Sequence, residues 1–309
     1  MIGWLRGRAT TTPVIGCYGK LPLDREFLRL NATHPEVEAV DRWIQGGMAA
    51  AQSRLAGRPE GEGRGVYGGW RGGDFLFPPP EKGQRYCIGH MHPSQDSAGR
   101  RFPCTLFLLA GVRQAEPAFL VPLRYHAYLD GAAQVARTGE EMGDRSAWLE
   151  RVRGLAALAE PREVVFPVEE GLGGRLSRLL PDAEIYAPTL QLLIETAVDR
   201  PRGGWALRLP AVEVQGAVSG WLQLLDCLRR RDAAPHAAVW GDGVLWVFGG
   251  PPSSGLFLNL LGMPLDDRLV DAMDGETLAA AGRRLAPGIA AALDAGGVPV
   301  PRLASWRWQ

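Results

Sequence analysis

Apolar residues recur along this chain with two different periods, and the change from one to the other marks the elements. Between residues 33 and 55 the period is helical: Val37, Val40, Ile44 and Met48 fall on one stripe with Trp43 beside it, which predicts an amphipathic helix. Thr33 is expected to cap that helix, with Glu36 as its reciprocal partner and Pro35 in the first turn. On either side the apolar residues come in short runs. Pro13 to Tyr18, Asp74 to Phe77, Arg85 to His90 and Phe102 to Ala110 read as strands. Pro78-Pro79-Pro80 stops the second run and Glu81-Lys82-Gly83 turns the chain toward the third. The last three runs have no helix between them, so antiparallel pairing is expected. Gly57 to Gly73 is rich in Gly and Arg and has no period, as a loop would.

From Leu123 to about residue 158 the texture is helical, and it is helical again from Leu172 to Val198. A strand follows at Trp205 to Leu209, then a helix from Gln215 to Arg231 with Val218, Trp221, Leu222, Leu225 and Leu228 on one face. Ala237 to Trp240 and Val244 to Phe248 flank Gly241-Asp242-Gly243, a strong hairpin signal. Short helices are expected at Ser254 to Gly262 and Glu276 to Leu293. The fold class is therefore α/β of the α+β kind. Two parts are expected, 12–138 and 139–309, each a small, largely antiparallel sheet faced by helices.

Charge narrows the partners. Lys+Arg and Asp+Glu are both 34, so the chain has no global basic field to hold nucleic acid or an anionic membrane. Only two of the basic residues are lysines, Lys20 and Lys82. The first residues, Met1 to Thr12, carry no apolar stretch of signal-peptide length, and no run approaches the roughly 20 apolar residues of a membrane span. Cys17, Cys87, Cys104 and Cys227 are widely spaced and read as small hydrophobes in a reducing compartment. No membrane insertion and a cytoplasmic location are expected.

Candidate chemistry is sparse. No phosphate-binding glycine loop of the G-x-x-x-x-G-K-[ST] type occurs. Cys87, His90 and His92 form a C-x-x-H-x-H cluster that His126 or Asp96 could complete as a metal site. Strand alternation opposes it, placing the two histidines on one face and Cys87 on the other. Ser94 lies near His92 and Asp96, but proximity along the chain is not triad geometry, and a polar turn explains the same residues. Glu169-Glu170 and Asp266-Asp267 read as solvated charge and the Arg229-Arg230-Arg231 run as a complement to the dipole at a helix end, so no catalytic residue, cofactor or metal is expected.

Two segments are more specific than loops require. In the first, Gly16-Cys-Tyr-Gly-Lys-Leu-Pro-Leu-Asp-Arg-Glu-Phe, a strand runs into a charged, Phe-anchored turn. In the second, His92-Pro-Ser-Gln-Asp-Ser-Ala-Gly-Arg-Arg-Phe-Pro-Cys-Thr, a polar turn leads into an apolar strand, with Asp96 and Arg100 spaced for a local ion pair. These segments resemble the TagF (ImpM) family of type VI secretion system-associated proteins. Gly16, Tyr18, Gly19, Lys20, Leu21, Pro22 and Phe27 match its opening G-x-[FY]-G-K-L-P-x-R-G-D-F pattern, with Glu26 standing for the aspartate. Pro93, Ser94, Asp96, Gly99, Arg100, Phe102, Pro103 and Thr105 match its later P-S-x-D-x-x-G-R-x-F-P-[LC]-T. The helix bearing Trp43 fits between them, and the C-terminal half resembles the family more loosely.

The resemblance implies a non-enzymatic cytoplasmic accessory protein that represses assembly or firing of the secretion apparatus after translation. It also implies binding to the forkhead-associated scaffold protein of that system. A structural accessory of the apparatus, or a small-ligand or metal-dependent hydrolase built on Cys87, His90, His92 and Asp96, is the alternative. The expectation for the site is that the two motif turns meet in one fold. Lys20, Glu26, Asp96 and Arg100 would form a charge network serving architecture or partner binding, and Trp43 and Phe102 would lie in the core.

Overall fold

The structure is a computed structural model that describes residues 12–56, 69–79, 85–111, 117–139, 142–164, 171–197, 205–211, 214–228, 237–263, 270–286, 288–289 and 293. The turn at Glu81, the pairs Glu169-Glu170 and Asp266-Asp267, and the arginine run at Arg229 lie outside the described residues.

The first half supplies β1 (Val14–Gly19), β2 (Leu28–Leu30), α1 (Pro35–Leu55), β3 (Gly73–Phe77), β4 (Arg85–His92) and β5 (Cys104–Gly111). Helices α2 (Val121–Arg124), α3 (His126–Thr138) and α4 (Arg145–Gly154) follow. The second half supplies α5 (Leu172–Leu179), α6 (Tyr186–Ala197), β6 (Ala206–Pro210), α7 (Val214–Leu228), β7 (Ala237–Gly241), β8 (Val244–Phe248), α8 (Ser254–Leu260), β9 (Val270–Ala272) and α9 (Gly275–Gly282). The mixed α/β class is as expected. The expected pair of small sheets is instead one: β3 pairs antiparallel with β7, which joins both sets of strands into a nine-stranded sheet of order β2-β1-β5-β4-β3-β7-β8-β6-β9. All neighbours are antiparallel except β6 and β9.

Both faces of this sheet are covered, so its central strands are apolar on both sides and read as unbroken runs in the sequence. Leu106 and Leu108 of β5 and Ile88 of β4 face one core, which α3, α4, α5, α6 and α7 cover with residues such as Tyr128, Trp148, Leu176, Leu193 and Trp221. Phe107, Leu109 and Cys87 face the opposite core, which is covered by α1 and α8. The stripe Val37, Val40, Ile44 and Met48 is buried there as the period required. Trp43 links the two halves of the chain. Its ring meets Phe77 of β3, Phe248 of β8 and Phe257 of α8 at 5.8, 5.9 and 5.2 Å, and its indole N–H donates to Ser253 O at 3.0 Å.

Local signals held in most places. The β7–β8 turn carries Asp242 and Gly243 at φ 49° and 75°, the left-handed pair that a tight hairpin demands. Helix α1 begins one residue later than its expected cap: His34 is the N-cap and makes no side-chain capping bond, with Pro35 in the first turn. Glu36 is not its capping partner; its carboxylate accepts from the backbone amide and Nε of Arg85 at 3.3 and 3.1 Å, pinning the helix start to β4.

Candidate functional site

The two motifs are built into one end of the sheet. Tyr18 of β1 stands opposite Thr105 of β5, so the chain leaves β1 beside the segment that enters β5. Gly19 sits at φ 127°, and a Cβ there would lie 2.0 Å from Pro103 O. Only glycine permits both that backbone angle and that approach. The segment between β4 and β5 is a narrow loop: Phe102 N donates to Ser94 O at 3.1 Å, Gln95 bridges Arg101, and Asp96 N donates to Arg100 O at 3.0 Å. Gly99 closes its tip at φ 80°, its amide donating to Asp96 O at 2.8 Å.

Asp96 is the centre of this end. Its side chain is 0% exposed and lies against the Lys20 ammonium, which donates to Oδ2. Arg100 Nε donates to the same oxygen at 2.7 Å, while the amides of Arg100 and Ala98 donate to Oδ1 at 2.8 and 3.0 Å. Burial pushes the carboxyl pKa up, but the bonds from Lys20 and Arg100 outweigh it and hold the group well below the usual carboxylate range. Lys20 and Arg100 are 76 and 4 residues away in sequence, so one carboxylate ties both motifs together. The expected meeting of the two turns is what the structure has.

The neighbouring residues reinforce the clasp. Ser97 N donates to Asp24 O at 3.0 Å, and Arg100 Nη2 donates to Arg25 O at 2.6 Å. Arg145, at the start of α4, donates to Asp24 Oδ2 at 2.7 Å and lies 3.7 Å from Glu26. Glu26, 78% exposed, is thus a peripheral partner of Arg145 and no member of the Asp96 network, contrary to expectation. Asp24 and Arg145 were missed in the sequence because their link spans 121 residues. Phe102 also departs from expectation. It is half-buried at the rim, edge-on to Phe27 at 5.0 Å, with the Arg29 guanidinium 5.2 Å over the Phe27 ring. Gly16 and Tyr18 lie within β1, Leu21 is buried in the core beneath α3 and α4, Pro22 and Pro93 are half-buried in the turns, and Pro103 is buried.

The histidine cluster is separate. His90 and His92 lie on the face opposite Cys87, their rings stacked at 6.1 Å. His90 Nδ1 shares a hydrogen bond of 2.7 Å with Asp74, its cross-strand neighbour. His90 Nε2 and His92 Nδ1 are buried and unpartnered. Burial, and then the charges of His90 and Arg137, push the His92 pKa down to about 4. Among the described residues no three His, Cys, Asp or Glu side chains are grouped to hold a metal ion. Burial raises the thiols of Cys17 and Cys87, the first to about 12, so neither is a poised nucleophile. No Ser94–His92–Asp96 triad forms, because Asp96 is saturated by Lys20, Arg100 and Ala98.

Residues 16–155 match the family model of the TagF N-terminal domain, described as type VI secretion system-associated. The chain carries a TagF N-terminal domain. Both motifs, Trp43 and the whole Lys20–Asp96–Arg100 clasp fall inside the matched segment, as do Asp24 and Arg145. A structural neighbour is the crystal structure of PA0076 from Pseudomonas aeruginosa PAO1 at 2.05 Å. It has a TM-score of 0.49 and 18% identity, covering 80% of this chain and 94% of that one. A comparison with curated proteins gives no match. Among the described residues no helix is long and apolar enough to cross a membrane.

Proposed function

We propose that this type VI secretion system-associated protein is a non-enzymatic, cytoplasmic repressor of the secretion apparatus. It acts after translation by binding the forkhead-associated scaffold protein of that system. The observation that carries the reading is the TagF N-terminal domain over residues 16–155. The state of the motif residues supports it. Lys20 and Asp96 are spent on each other and on the loop backbone, which favours architecture over turnover. The surface beside them includes an exposed arginine, Arg100, and the half-buried pair Phe27 and Phe102, residue types common in protein contacts, among exposed polar and charged residues such as Arg25, Glu26 and Gln95.

The test is genetic and biochemical together. Deleting the protein in its host is expected to raise effector release, and excess protein to lower it. The purified chain is expected to retain the scaffold protein. Unchanged release under both conditions, with the scaffold still retained, would leave a structural accessory instead.

A further inference from the structure

We draw no further inference here: the strongest candidate, the side-chain cluster of His90 and His92 on β4 with Asp74 of β3, carries nothing, because two ring nitrogens without partners form no group of three that could hold a metal ion among the described residues, and the Asp74 carboxylate and the Arg137 charge beside them select no ligand of either sign.

Discussion

Two buried polar clusters stand within one stretch of chain, and they are built oppositely. Around Asp96 every acceptor position is used: Lys20, Arg100 and two loop amides converge on one carboxylate. Around His90 and His92 the Asp74 contact is made, while among the described residues His90 Nε2 and His92 Nδ1 are left without partners. A fully satisfied network rigidifies what it joins, whereas an unsatisfied one carries a desolvation cost. The comparison shows why the histidines, the more reactive residue type, make the weaker candidate. His92 resists protonation because burial and its neighbours oppose charge, while Asp96 is held charged because its neighbours demand it.

The comparison can be broken in several ways. The largest effect is expected away from both clusters, at the residue that binds the two halves of the sheet. Trp43→Ala should cost about 3–5 kcal/mol, measured by denaturant unfolding, because it removes a buried ring and strands the Ser253 carbonyl. A loss near zero would mean the halves are held elsewhere.

Next in size is Asp96→Ala. It leaves Lys20 and the amides of Ala98 and Arg100 unpaired at once, so it should lower the melting temperature more than Arg100→Ala, which leaves the carboxylate with Lys20. Acid reports on the same group. A depressed folded pKa means the stabilisation is complete above the unfolded value of about 4 and is lost as pH falls below it.

Phe102→Ala should be milder, about 1–2 kcal/mol, since the ring is only half-buried against Phe27. The last effect is a slope. Between about pH 6.5 and about 4 the unfolded chain takes up a proton at His92 that the folded chain refuses, so stability falls as pH drops through that window. His92→Gln should flatten the melting temperature across it without touching the loss below about pH 4, to which Asp96 contributes along with the depressed carboxyls of Asp24, Glu36 and Asp274. A variant that erased both would merge the two clusters into one.

Much of this was legible in the sequence because it is local. The helical stripe from Val37 to Met48, the Asp242-Gly243 hairpin and the Asp96–Arg100 pair all follow from spacings of a few residues. What was not legible is long-range or too short to carry a pattern. The pairing of Phe75 with Val239 that fuses the sheets has no local signature. Strands β2 and β9 are three residues each, below the length at which alternation can be read. The motif residues were found by resemblance. Their roles within the clasp needed the geometry, which excluded Glu26 and brought in Asp24 and Arg145.

The most direct test of the central claim, that the Asp96 clasp serves architecture and partner binding, joins two readings on the same variants. Asp96→Asn and Arg100→Ala are each measured for folded fraction and for retention of the forkhead-associated scaffold protein. The account predicts that retention falls in step with the folded fraction, more mildly for Asp96→Asn. A variant that stays fully folded yet loses a measurable turnover or a bound metal would contradict it.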